Sequence, residues 1–177
     1  AFPRFQCLSV FCCLLVLGAR APLHADGDSI QERRLHLLQQ RHEQRHAEFA
    51  KEMNSLADYC EAQSYLTDAE RIRTRAMPAD SGAFDLDALP EQVIPPLAPG
   101  LPEIEKTWRS KLQKLESDYA NDCYRIALDA VHYGHPSFAF PLIREAAFHD
   151  PNLRSARARL GYVQDKSRWT TPFALLM

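Results

Sequence analysis

Small residues recur in the second half of this chain at the spacing that lets two helices lie backbone to backbone. Ala127, Ala139 and Ala146 are followed by Asp150-Pro151 and then by Leu160-Gly161. Antiparallel helices approach closely only where small side chains meet, and a proline opens a helix without losing a hydrogen bond, because the first N–H groups have no partner there. Residues 127–161 therefore predict a helical hairpin with a further helix behind it. The same marks stand 70 residues earlier, at Ala57, Ala69 and Ala76. That offset also lays Phe49, Met53, Leu56 and Cys60 over Tyr119, Cys123, Ile126 and Ala130, which predicts two stacked units, each a long helix followed by a short one.

On the 34-residue tetratricopeptide frame, Ile126-Ala127 and Leu160-Gly161 occupy the same two positions, and Pro151 falls at the consensus proline. The expected fold is all-α: antiparallel helical hairpins of tetratricopeptide-like type with two long helices. Residues 29–63 contain neither glycine nor proline, and Leu35, Leu38, Phe49, Met53, Leu56 and Cys60 recur at steps of three and four, as on one amphipathic helix. Ser29 with Glu32 suggests a capping box, and Asp68 a cap for a second helix over 69–76. A third helix over 103–133 carries the stripe Ile104, Trp108, Leu112, Leu115, Tyr119, Cys123, Ile126 and Ala130, which calls for an antiparallel partner. Ser137 is the expected cap of a fourth helix, with Pro141 in its first turn, and Asp150 of a fifth over 151–162. Six of the twelve prolines lie within 77–102, a proline-rich linker expected to be an extended strap docked through Val93, Ile94 and Leu97. Residues 163–177 are expected to form a short β-hairpin around Trp169 and then an apolar, truncated end.

The domain division that follows is 1–25 as a signal peptide, 26–76 as the first hairpin, 77–102 as the linker, 103–162 as the second hairpin with the start of a third, and 163–177 as the end segment. The targeting reading rests on Arg4, the apolar run 7–18 and small or polar residues through Ala25; twelve apolar residues suit a signal core and are too few to span a bilayer. Export to the periplasm or the extracellular space is the expectation, with no stable membrane span once the signal is removed. The missing initiator methionine and the apolar finish suggest a fragment of a longer reading frame. Cys60 and Cys123 would remain after cleavage, and their sequence positions leave open whether they pair or lie buried as small hydrophobes.

A net charge of -2 and a pI of about 6.4 leave no electrostatic footprint for nucleic acid. The sharpest chemical motif is His42-Glu43-Gln44-Arg45-His46. Two histidines one helical turn apart can hold zinc, with the intervening glutamate as general base for the bound water. Its surroundings, Gln39, Gln40, Arg41, Arg45 and Glu48, are polar rather than apolar, and a third ligand would have to be Glu61 or Glu70. The alternative is a polar stretch facing Leu112 and Glu116 on the third helix. His132, His135 and His149 suit helix ends, where the dipole favours a cation. Trp108, Tyr119 and Tyr124 suit either the lining of a groove or, as a helical aromatic stripe more often does, the core. Arg154, Arg157 and Arg159 read as a solvated face, and would be the choice for an acidic partner.

The segments Leu56-Ala57-Asp58-Tyr59-Cys60, Asp68-Ala69-Glu70, Leu142-Ile143-Arg144-Glu145-Ala146, Asp150-Pro151-Asn152, Leu160-Gly161-Tyr162, Arg168-Trp169 and Thr171-Pro172-Phe173 resemble the N-terminal, tetratricopeptide-like region of uncharacterised exported planctomycete proteins. The resemblance covers about residues 50–177 and implies a zinc-peptidase-like domain beyond Met177. No catalytic, cofactor-binding or metal-binding residue is carried over. The expected function is a non-catalytic helical-repeat scaffold or protein-interaction module whose partner is another protein or its own missing C-terminal domain, with no cofactor. The competing function is a zinc-dependent hydrolase using His42, Glu43 and His46.

Overall fold

The computed structural model describes residues 25–83, 85–86 and 88–177, with side chains from Ser29 onward except Asp80. The expected targeting segment lies outside the described residues apart from Ala25. The fold is mostly helical with a two-stranded antiparallel hairpin. The helices are α1 (Ala25–Ala62), α2 (Leu66–Arg75), α3 (Glu103–His132), α4 (Pro136–His149), α5 (Arg154–Arg159) and α6 (Pro172–Leu176); β1 (Val163–Asp165) and β2 (Arg168–Thr170) lie between the last two. Among the described residues no helix is long and apolar enough to cross a membrane.

The 70-residue offset holds at backbone level: α1 ends at Ala62 and α3 at His132, while α2 starts at Leu66 and α4 at Pro136. Both turns close in the same way. Tyr65 N–H donates to the Cys60 carbonyl (2.9 Å) and Ser64 N–H to Glu61 (2.9 Å); His135 donates to Ala130 (2.8 Å) and Gly134 to Val131 (3.1 Å). These are the paired bonds of a helix ending in a left-handed residue. The left-handed residue is Ser64 (φ 68°) in one unit and Gly134 (φ 84°) in the other.

The two units meet through their long helices. Arg34 lies over Tyr133, Phe49 stacks on Tyr119, and Tyr65 meets Trp108. Arg41 pairs with Asp129 and Arg45 with Asp122. Positions on α3 fall as those on α1 rise, so the long helices run antiparallel. Phe49 and Tyr119 are themselves equivalent under the offset, with ring centroids 4.2 Å apart and planes 7° from parallel. Equivalent residues meeting across antiparallel helices mark a local two-fold axis. Successive repeats in a stack are related by a small rotation that leaves equivalent helices nearly parallel; these two hairpins instead face each other.

Burial follows the stripes: Met53, Leu56, Ala57, Cys60, Ala69 and Ile72 from the first unit pack with Tyr119, Cys123, Ile126, Ala127, Ala139 and Ala146 from the second. Cys60 and Cys123 are both buried and free. Ile104 is an exception to the expected stripe, being exposed near the start of α3, where the buried face begins at Trp108.

Several helix ends differ from expectation. Ser29 is inside α1 rather than capping it, its carbonyl accepting from Arg33 Nε at 3.1 Å. Asp68 lies in the first turn of α2, whose N-cap is Tyr65, and Ser137 in the first turn of α4, whose N-cap is His135. A proline at the first helical position supplies a preset φ and needs no side-chain cap. Pro141 is the sixth residue of α4, beyond the first turn, so the Ser137 carbonyl loses its helical donor. Asp150 does not open the fifth helix; its carboxylate accepts from Asn152 N–H at 2.8 Å and from Ser117 Oγ at 2.9 Å, and α5 starts only at Arg154. Gly161 ends α5 rather than starting another helix pair: at φ 82° it sends Tyr162 N–H back to the Arg157 carbonyl.

The linker is docked at residues 91–94 through hydrogen bonds, Leu89 rather than Val93, Ile94 or Leu97 packs on the core, and Ala79–Ser81 form a 3-10 turn instead of extended chain. Val93 N–H donates to Ser167 O (2.9 Å) and Trp169 N–H to Glu91 O (2.7 Å), which adds residues 91–93 as an edge beside β2. Asn152 pairs with both backbone groups of Ile94 at 2.9 Å. Arg157 fastens the assembly and corrects the expectation of a solvated arginine face: it is fully buried. Its guanidinium donates to the Pro90 carbonyl at 2.6 Å and the Ala147 carbonyl at 3.3 Å, and lies against the Tyr162 and Trp169 rings. Burial lowers its pKa. Arg154 and Arg159 remain exposed.

Candidate functional site

Antiparallel packing of α1 on α3, with α4 lying against α3, brings polar residues from three helices together near the local two-fold axis. His42 Nε2 donates to Glu145 Oε2 at 3.0 Å. The Tyr119 hydroxyl donates to the other carboxylate oxygen, Glu145 Oε1, at 2.6 Å, and its oxygen lies 3.3 Å from His42 Nε2. Cys123 joins from the next turn of α3: one donor atom each from His42, Cys123 and Glu145 lie within 4.8 Å of one another. Glu145 and Cys123 are buried, while the His42 side chain retains about a fifth of its exposure, at 21%. This edge opens into a groove of about 480 Å³ lined by His42, Glu43, His46, Phe138, Leu142 and Glu145, among others.

The electrostatics assign protonation states. Burial pushes the Glu145 carboxyl up, but the bonds from His42 and Tyr119 and the nearby His42 and His149 outweigh it and hold the pKa below the usual carboxylate value. Burial, together with the neighbouring Cys123 and Glu145, raises the Tyr119 phenol. Burial and the Glu145 charge raise the Cys123 thiol well above its ordinary range. His149, enclosed by Phe49, Tyr119 and Phe148, is pushed down to about 3 by burial, with Arg75 and His46 adding to the effect and Glu145 opposing it. A neutral imidazole at the end of α4 replaces the dipole-favoured cation expected there.

The H-E-x-x-H residues line one groove but have different neighbours. His42 faces Glu145, His46 packs edge-on to Tyr119, and Glu43 is exposed. The α3 residues they meet are Tyr119 and Cys123, rather than the expected Leu112 and Glu116. Glu116 sits elsewhere in an ion pair with Arg75, whose guanidinium also lies over the Phe148 ring. Glu61 and Glu70, the suggested third ligands, are exposed, and Glu61 pairs with Arg73 at 2.5 Å. Fifteen residues of α1 separate Glu61 from His46, about 22 Å of rise.

Sequence reasoning missed Glu145, placed Tyr119 in the core stripe or a groove, and left Cys123 between a disulfide and a buried hydrophobe. His42 and Glu145 lie 103 positions apart. The available signal was Glu145 itself, a carboxylate one position before Ala146 on a face otherwise carrying Leu142 and Ala139. Comparison with family models, curated proteins and solved structures gives no match for this chain.

Proposed function

We propose that this chain is a non-catalytic helical-repeat scaffold of an exported protein, presenting helix surface to a protein partner or to a further domain of its own chain. The tetratricopeptide-like spacing and the resemblance to exported planctomycete proteins underlie that reading, with residues 1–25 as its targeting segment. The observation that carries it is that protein groups occupy His42, although it shares one groove with Glu43 and His46. A zinc hydrolase needs both histidines and a third ligand on one metal, with the glutamate reaching its water. Here His42 is engaged by Glu145, Glu43 is exposed, and of the expected third ligands Glu61 is about four turns further along α1 and Glu70 is exposed. A surface for a partner is at hand in α6, where Phe173, Leu175 and Leu176 are exposed, Leu176 at 87%.

Hydrolysis tests the reading. With zinc supplied, the purified protein should leave an unfolded protein substrate intact, and Glu43→Gln should change nothing. Zinc-dependent cleavage abolished by Glu43→Gln would replace the scaffold with the hydrolase.

A further inference from the structure

We propose that His42, Cys123 and Glu145 form a binding site for one divalent transition-metal ion of the zinc class, which would join the two hairpins across their interface. The donor set is the first argument. An imidazole nitrogen, a cysteine sulfur and a carboxylate oxygen together suit zinc, whereas calcium and magnesium take oxygen ligands; the Cys123 thiol, protonated in the metal-free chain, would give up its proton on binding. The three residues come from α1, α3 and α4, so one ion would tie the first unit to both helices of the second.

Geometry is the second argument. Tetrahedral zinc with ordinary bond lengths puts its nitrogen and oxygen ligands about 3.3 Å apart and its sulfur about 3.5 Å from either. His42 Nε2 and Glu145 Oε2 stand 3.0 Å apart, and one donor atom each from His42, Cys123 and Glu145 lie within 4.8 Å of one another. Closing this set around an ion needs movement of about 1 Å, within reach of side-chain rotation.

The carboxylate is also oriented for the task. Tyr119 engages Oε1 and leaves Oε2 toward His42, the kind of outer contact that fixes a ligand's direction. A fourth position would face the groove between α1 and α4, which also provides entry. One helical turn from His42, the His46 Nε2 atom is shielded from solvent and makes no hydrogen bond among the described residues. A polar atom left unpaired at the edge of the cluster fits a site completed by something other than protein. Glu43 has no part in this arrangement, which separates it from H-E-x-x-H chemistry.

Cobalt(II) titration of the full chain, freed of metal with a chelator, tests the proposal by spectroscopy. One equivalent should bind, with the visible bands of a tetrahedral site and a thiolate-to-cobalt charge-transfer band. A variant with Cys7, Cys12, Cys13 and Cys60 all replaced by alanine should keep that band, which then assigns it to Cys123 without requiring a Cys123 variant to fold. His42→Ala, at the exposed edge, should weaken binding by about 100-fold or more, since even residues that only orient ligands cost up to that factor. Glu43→Gln should leave the titration unchanged. Absence of stoichiometric uptake overturns the proposal, as does binding without a thiolate band or with undiminished affinity in His42→Ala. A band lost in the variant that keeps Cys123 alone, or binding that depends on Glu43, places the metal elsewhere and equally overturns it.

Discussion

The two helical hairpins share a backbone and differ in what they do with one position. Arg75 near the end of α2 and Glu145 in α4 are equivalent under the 70-residue offset, and each reaches across the local two-fold axis to a long helix of the other unit. Arg75 meets Glu116 on α3, and Glu145 meets His42 on α1. The two equivalent positions differ in depth, the Arg75 side chain being 30% exposed and that of Glu145 3%, while in each contact the carboxylate is the buried member, Glu116 at 8%. A second difference is length. Helix α4 runs past the equivalent of the end of α2, and the added turn places Ala147, Phe148 and His149 in the interior. A repeated backbone can thus remain the same while its buried polar positions diverge in charge and depth.

The largest effect should come from that added turn, in acid. His149 titrates near 3 in the folded chain against about 6.5 unfolded, so between those values the unfolded chain binds more protons and stability falls as pH falls. The loss across this window is at most about 5 kcal/mol. Burial sets most of the shift; Arg75 from α2 and His46 from α1 add to it, and Glu145 from α4 opposes it. Denaturant titrations from pH 7 to pH 4 should show His149→Leu losing markedly less stability than the parent. Equal slopes would show that the histidine is not buried neutral, and the contrast between α2 and α4 would reduce to length.

The exchanged pair comes next, and its two members should respond to acid with opposite signs. In metal-free protein at neutral pH, Glu145→Ala should cost about 3 kcal/mol by leaving Tyr119 without its acceptor, and Arg75→Ala about 2 kcal/mol by leaving Glu116 buried without its cation. The Glu145 pKa is held down, by His42 and Tyr119 against burial, so its stabilisation is present above the unfolded carboxyl pKa and disappears as pH falls through the folded value. The Glu116 pKa is raised, by burial that Arg75 only partly offsets, so the folded chain takes up a proton more readily than the unfolded one and stability gains as pH falls through that window. The penalty of Arg75→Ala should therefore shrink in mild acid, while that of Glu145→Ala shrinks only below the ordinary carboxyl range. Parallel pH profiles for the two variants would erase the distinction.

What was legible in the sequence is the part governed by local spacing. Alanines at three offset positions and stripes at steps of three and four locate both hairpins, because close helix packing demands small residues wherever it occurs. The linker was legible in part, since prolines exclude α-helix, but its docking through hydrogen bonds at 91–94 and through Leu89 was not. Arg157 was not. Arg154, Arg157 and Arg159 look alike along the chain, and only the return of Pro90 over α5, 67 positions away, gives one of them carbonyls to bind. The local two-fold was equally hidden, because an internal repeat states that two units are alike and leaves their mutual orientation open. Glu145 and His42 become a site only once that orientation is set. The misplaced caps at Ser29, Asp68, Ser137 and Asp150 have a smaller cause: helix starts can use a proline or bare backbone, and Asp150 gains more from Ser117 and Asn152 than from capping.

The finest test of likeness lies in the turns, where backbones match and one residue differs. Ser64 carries a side chain at φ 68° where Gly134 carries none at φ 84°. The left-handed conformation crowds Cβ against the backbone and costs a non-glycine residue about 1 kcal/mol, whereas glycine enters it freely. Space is not the constraint, since a Cβ placed on Gly134 would meet no atom within 4 Å. Ser64→Gly should therefore stabilise the chain by somewhat less than that amount, because glycine also gains freedom in the unfolded state, and Gly134→Ser should destabilise it by a similar increment. Thermal unfolding of both variants and of the double exchange measures this. Near cancellation in the double exchange would show that the two turns are energetically equivalent as well as alike in hydrogen bonding. A residual well beyond about 0.5 kcal/mol would mean that the units, though far apart at these turns, are coupled through the helices between them.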